Sequence, residues 1–359
     1  MKRGICQGML WLYLSCSLTA LAGELLGDPG FQQGYSVISP ERNIYTDRAR
    51  QETIHLLSDQ QPGITPAWRL LQWGSDLSLA NVKPVPTAAG GKRWALTTAA
   101  KERVTAYKSI SIEPHGEVTL ELNALANAIG PAYLSYDKAD LYLNSLDERW
   151  PHLLLAQNIQ TLKLDQYREL NLSLDARLLF DHKNISEGYR PSIHAARFPI
   201  AMAVRNTLSG NMFWLSLVVY DDRHATTGFS CQKCLVDPQG MERCTTPSSL
   251  QDPGRWECPF DGKRWSASTE KKGTRKMIFR IPTQAASADN IQAGQWAHYQ
   301  VNLLPYIIEA VKAARETRDL GGFSPDLRFY ELGFFSMGWE ITGHNHAALS
   351  IKNLSLKGS

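Results

Sequence analysis

Tryptophan, histidine and glutamine come close together at Trp150-Pro151-His152, with Gln157 a few residues on. An indole offers an apolar face to the C–H side of a sugar ring, while imidazole and amide groups bond its hydroxyls. The same residues also fit a strand junction whose Trp fills a core. A second group, Asp221-Asp222-Arg223-His224, follows an apolar run that ends at Tyr220. Carboxylates beside a histidine suit acid–base work. Against that, neighbours on an extended chain point to opposite sides and cannot flank one bond. If the chain is an enzyme, His152, Asp222 and His224 are its catalytic candidates. If it binds without turnover, Trp73, Trp150, His152, Gln157 and Trp339 are the ligand-binding ones. His344-x-His346 sets two imidazoles on one side of an extended segment, which is half of a metal site with no third donor within motif reach. No metal is expected there. The chain carries no G-x-S-x-G, Walker loop, H-E-x-x-H or dinucleotide fingerprint.

The cysteines speak to compartment. Lys2 and Arg3, an apolar run and Ala20-Leu21-Ala22 read as a signal peptide over 1–22, so Gly23 opens the secreted or periplasmic chain. The apolar run is shorter than the roughly 20 residues a membrane span needs, and no span is expected. Cys6 and Cys16 leave with the leader. Cys231, Cys234, Cys244 and Cys258 remain, and their spacing has only one close pair, where a zinc ribbon wants two. In an oxidising compartment they read as two disulfides stapling an insertion over 229–264. The chain has 38 basic and 35 acidic residues, net +3, and losing Lys2 and Arg3 leaves about +1. With no basic stripe, nucleic acid is excluded as an expected partner.

The elements that must position these groups are strands. Leu170, Leu172, Leu174, Ala176 and Leu178 alternate with polar residues, the period of a half-buried strand. Ile110 and Ile112, then Val118, Leu120 and Leu122, flank the turn Pro114-His115-Gly116. Segments 200–204 and 212–220 pair around Ser209-Gly210-Asn211, the second apolar on both faces and therefore covered on both sides. Segments 276–281 and 296–303 add two more strands. The C-terminal stretch 327–356 reads as two strands joined by a polar turn at 343–345. In the last of them the apolar phase slips at Asn353, which fits a bulge or a strand passing from a sheet edge to a covered position. One helix is written by Pro305 in its first turn, Ile307, Ile308, Val311 and Ala314 at helical spacing, and Gly321-Gly322 after it. Residues 40–100, rich in Pro and Gly, read as irregular loops carrying Trp68, Trp73 and Trp94.

The opening Leu25-Leu26-x-Asp28-Pro29-Gly30-Phe31-x-x-Gly34 resembles the first strand of carbohydrate-binding modules with the galactose-binding-like jelly-roll fold. The closing Ala348-Leu349-Ser350-Ile351-Lys352-Asn353-Leu354-Ser355-Leu356 is similar to the last strand of that group. The resemblance implies that first and last strands share one sandwich. Where that group commonly carries an Asp beside a structural calcium, Asn353 stands, so calcium is not indicated and no cofactor is expected. Residues 23–359 then form a single, mainly β domain: an elaborated antiparallel β-sandwich of jelly-roll type with one packed helix and the cysteine-bearing insertion. The expected function is binding of an extracellular or periplasmic polysaccharide or oligosaccharide. A polysaccharide lyase or glycoside hydrolase on the same sandwich is the alternative, favoured by a length beyond a simple module. A structural or adhesion domain that binds protein is the third reading.

Overall fold

The computed structural model describes residues 23–38, 51–55, 65–72, 74–75, 77–100, 103–129, 151–159, 163–183, 195–222, 233–236, 242–245, 265–267, 277–287, 291–316, 322–342 and 345–359. Trp73, Trp150, His224, Cys231, Cys258 and His344 lie outside the described residues, as does the stretch 1–22 read above as a signal peptide.

Strand alternation builds two sheets that face each other across one core. The eight-stranded sheet contains β1 (Gly23–Glu24), β5 (Val85–Pro86), β6 (Lys92–Ala100), β7 (Arg103–Ile112), β8 (Val118–Asn123), β10 (Leu170–His182), β17 (Ala297–Asn302) and β19 (His346–Gly358). Its order is β17-β10-β19-β8-β7-β6-β5, with β1 paired on β19. The nine-stranded sheet contains β2 (Tyr35–Ile38), β3 (Gln51–His55), β4 (Trp68–Leu71), β9 (His152–Asn158), β11 (Ala195–Asn206), β12 (Met212–Asp221), β15 (Trp265–Ala267), β16 (Met277–Ile281) and β18 (Tyr330–Thr342). Its order is β15-β16-β12-β11-β18-β9-β4-β2-β3. The chain crosses repeatedly from one sheet to the other, as jelly rolls do. A separate pair, β13 (Lys233–Val236) and β14 (Glu242–Thr245), lies in the cysteine-bearing stretch, with Cys234 and Cys244 as register partners.

Local pattern explains most of this. The five alternating apolar residues of β10, Leu170, Leu172, Leu174, Ala176 and Leu178, are buried and face the core. β12 is buried on both faces from Leu215 to Asp221, as its apolar run predicts. The bulge at Asn353 is present: β19 spends one extra residue between the partners of Ser173 and Asp175, and Asn353 takes φ +53°. Its side-chain amide donates to Asp175 Oδ2 at 2.6 Å. The predicted helix forms as α3 (Leu304–Glu316), burying Ile307, Ala310, Val311 and Ala314 at the sandwich edge. Two shorter helices, α1 (Ala124–Ile129) and α2 (Thr283–Ala286), were not foreseen.

Three expectations are corrected. The sandwich is mixed, because β12/β16 and β2/β4 pair in parallel. The last two strands do not pair with each other: β18 joins the nine-stranded sheet and β19 the eight-stranded one, so their connection crosses the sandwich. The Pro- and Gly-rich stretch before residue 100 holds β4 and β6, since cross-strand packing outweighs local composition.

The opening motif is a turn leading into the core. Asp28 accepts from the amides of Gln32 and Gln33 at 2.7 and 2.8 Å, and Phe31 is stacked on Trp68 at 5.0 Å. First and last strands do share the sandwich: Gly23 pairs with Gly358 and Glu24 with Lys357.

Candidate functional site

On the nine-stranded sheet, residues that alternate with the core face outward in rows, because period-two alternation carries each register across neighbouring strands. One row runs through Arg280, Ser216, Ala201, Ser336, Ala156 and Arg69, one residue from each of β16, β12, β11, β18, β9 and β4. Four small side chains thus lie between two arginines, whose α-carbons are five strand spacings apart, about 24 Å. Small side chains make this row a shallow trough, in which Ala201 and Arg69 are partly exposed while Ser216, Ser336, Ala156 and Arg280 are buried. A second row sets Ile278, Trp214, Ala203, Phe334 and Asn158 side by side. Small Ala203 lets the Trp214 and Phe334 rings meet edge to face at 5.8 Å.

A third row carries charge. Asp221 is opposite Arg197, Arg197 opposite Glu340, and Glu340 opposite His152. Their neighbours Phe198, Ile341 and Leu153 point into the core, so these four side chains share the outer face. None is more than 9% exposed, and Arg197 Nε lies 3.6 Å from Asp221 Oδ2. Between the charged row and the trough, Gly338 sits opposite Leu154 with φ +146°. A Cβ on Gly338 would come within 2.2 Å of the Leu153 carbonyl oxygen, so only glycine lets β18 and β9 close here.

Asp222 turns the other way, to the rim between the sheets. Its carboxylate meets Lys183 Nζ at 2.8 Å, and accepts from the Ala196 amide at 3.0 Å and from Asn345 Nδ2 at 3.1 Å. Asn345 also donates to Asp181 Oδ1 at 3.0 Å, and the Tyr220 hydroxyl donates to Asp181 Oδ2 at 2.7 Å. Burial, with the neighbouring carboxylates Asp221 and Asp181 adding to it, raises Asp222 to about 6 against the pull of Lys183. Asp181 is raised as well, chiefly by burial.

The sequence candidates therefore part company. His152 belongs to the charged row. Asp222 belongs to the rim, three strands away from it in the sheet order. Gln157 points inward and is pinned to Gly27, accepting from its amide at 2.7 Å and donating to its carbonyl at 3.2 Å. Trp339 is wholly buried between the sheets, its ring 5.2 Å from Phe198 and its indole N–H donating to the Leu120 carbonyl at 2.9 Å. Reading by motif missed Arg69, Arg197, Arg280, Trp214, Phe334 and Glu340. Glu340 was findable, since it has the opposite parity to Trp339 and Ile341. Rows across strands carry no local sequence signal.

Beside the second row, a groove of about 430 Å³ opens at the sheet end, lined by Glu24, Leu25, Gly27, Pro66, Ala67, Arg69, Gln157 and Asn158. Among the described residues no group of three or more His, Cys, Asp or Glu side chains is arranged to hold a metal ion, and no helix is long and apolar enough to cross a membrane.

Fold and site together define a two-sheet β-sandwich with a trough of small residues on the outer face of its larger sheet. No protein-family model and no curated protein matches the chain. Among solved structures, it is similar to the xyloglucanase domain of NopAA, a type three effector from Sinorhizobium fredii, in complex with cellobiose. That match is 12% identical over 78% of this chain and 97% of that one, with a TM-score of 0.35. A family 12 xyloglucanase from Bacillus licheniformis is 8% identical over 77% and 97%, with a TM-score of 0.37. The family 11 carbohydrate-binding module of the cellulosomal cellulase Lic26A-Cel5E of Clostridium thermocellum is 7% identical over 83% and 91%, with a TM-score of 0.23.

Proposed function

We propose that this is a secreted protein that binds a polysaccharide along the outer face of its nine-stranded sheet. The observation that carries the reading is the row Ser216–Ala201–Ser336–Ala156 between Arg280 and Arg69. Small side chains leave room for a flat, extended polymer, and the half-buried guanidinium of Arg69 at the end of the row can donate to its hydroxyls. The Trp214–Phe334 pair beside the trough offers aromatic surface for ring stacking. Of the four small residues, Ala201 is the one with a partly exposed side chain.

Ala201→Trp should therefore fill the trough. The wild-type protein should be retarded in native gels containing its polysaccharide, and the variant should run as in a gel without polymer while keeping its melting temperature. Equal retardation of both proteins refutes the trough as the binding surface.

A hydrolase is the second reading, favoured by one observation. Asp221 and Glu340 lie on the same face on either side of Arg197, with α-carbons about 10 Å apart. Two carboxylates on one face are the kind of pair that glycoside hydrolysis uses. Under that reading Glu340→Gln stops release of reducing ends from a bound polymer and leaves retardation unchanged. If the wild type releases none from a polymer it binds, the hydrolase reading is lost and binding alone remains.

A further inference from the structure

Four arginines among the described residues pair with a carboxylate: Arg93 with Glu121, Arg177 with Glu117, Arg197 with Asp221 and Arg328 with Asp326. Arg69 differs. It is half-buried on β4, and among the described residues no carboxylate pairs with it. Its Nη2 donates to Asn158 Oδ1 at 2.8 Å, and its guanidinium lies 5.9 Å from the centre of the Phe334 ring. Loss of solvent lowers its pKa. A neutral amide and an aromatic ring orient a guanidinium without neutralising it. The remaining N–H groups are the fork that fits a carboxylate in two parallel bonds.

The groove beside Arg69 holds one cation and one carboxylate, and the carboxylate is turned to the chain ends rather than to Arg69. The lining carboxylate, Glu24, is already engaged: Oε1 accepts from the amides of Leu26 at 3.1 Å and Leu356 at 2.9 Å, and Oε2 from the Ser355 hydroxyl at 2.7 Å. Gln157 is fixed on Gly27, so the polar walls are set and Arg69 is left as the cation facing the groove.

We propose that the polysaccharide is acidic, and that a uronate carboxylate of it pairs with Arg69 in this groove while the neighbouring ring lies against Phe334. This rests on the binding function proposed above and narrows its ligand class. Arg69 also closes one end of the small-residue trough, so the acidic sugar marks one end of the bound chain.

Affinity electrophoresis with three probes tests it: polygalacturonate, dextran sulfate and a neutral glucan such as hydroxyethylcellulose. The wild type should be retarded most by polygalacturonate, and less as salt is raised. Arg69→Gln should weaken that binding by roughly tenfold or more, the usual scale for a lost charge-assisted pair. Arg69→Lys keeps the charge but not the fork, and should recover only part of it. Should Arg69→Gln fail to fold, judged by its near-ultraviolet circular dichroism, Asn158→Ala removes the group that aims the guanidinium and should weaken polygalacturonate binding in the same direction. Neutral glucan bound as tightly as polygalacturonate, with Arg69→Gln unchanged, overturns the acidic ligand and leaves the trough reading intact. Retardation by dextran sulfate alone overturns the carboxylate assignment. No retardation by any of the three overturns this proposal and the binding function together.

Discussion

Asp222 shows how one buried side chain sets a pH dependence. Its carboxyl is moved from an ordinary 3.8 to about 6 by burial and by its carboxylate neighbours. The folded state therefore binds its proton more tightly than the unfolded chain does, and the associated stability is fully present below about pH 4. That contribution, on the order of 3 kcal/mol, is lost as pH rises through 6. Glu121 acts in the opposite sense: burial would raise it, but hydrogen bonds from His346 and Ser109 and the charge of Arg93 hold it at about 2. Its contribution is present above about 4.5 and lost as pH falls toward 2. Urea denaturation across pH should thus show wild-type stability declining between pH 4 and 7, with a flatter profile in Asp222→Asn. A variant curve parallel to wild type over that window would mean that Asp222 does not titrate there.

At the scale of elements, β18 does two jobs on its two faces. Its core face carries Tyr330, Leu332, Phe335, Met337, Trp339 and Ile341, all buried, while its outer face carries Phe334, Ser336 and Glu340 to the site. Trp339 is therefore a stability residue for the strand that holds Glu340. Trp339→Ala should cost about 3–5 kcal/mol in urea denaturation, the range for emptying a large aromatic site in a packed core. A loss of binding with stability unchanged would be the wrong signature. The same strand shows what local pattern can and cannot tell. Alternation assigned its faces correctly, and the phase slip in β19 located the bulge at Asn353. Which sheet each strand enters was not written in either pattern, because an apolar face fits any facing sheet of the right register. For the same reason the site rows were illegible: Arg69 and Ala156, or Arg197 and Glu340, become neighbours only after strands distant in sequence have paired.

At the scale of the whole molecule, the first described strand and the last close the sandwich together. Leu25 N donates to the Leu356 carbonyl at 2.8 Å, the Ser359 carbonyl accepts from the amides of Arg168 and Glu169, and the Ser359 amide donates to the Glu169 carbonyl. Glu24 ties the two ends with three acceptor contacts, to Leu26, Leu356 and Ser355. That the two ends share one sandwich was legible in the sequence, although the leading motif itself folds as turns. This seam also forms one wall of the groove at Arg69, so closing the fold and shaping the site are one event there. Glu24→Ala removes a charged acceptor from three donors, which at roughly 1–3 kcal/mol makes a clear drop in urea midpoint. The exchange of the Leu26 and Leu356 amides with deuterium should quicken more than that of the β10 core amides, because the loss is local to the seam. Uniform acceleration across both sets would show instead that the seam opens only with the whole sandwich.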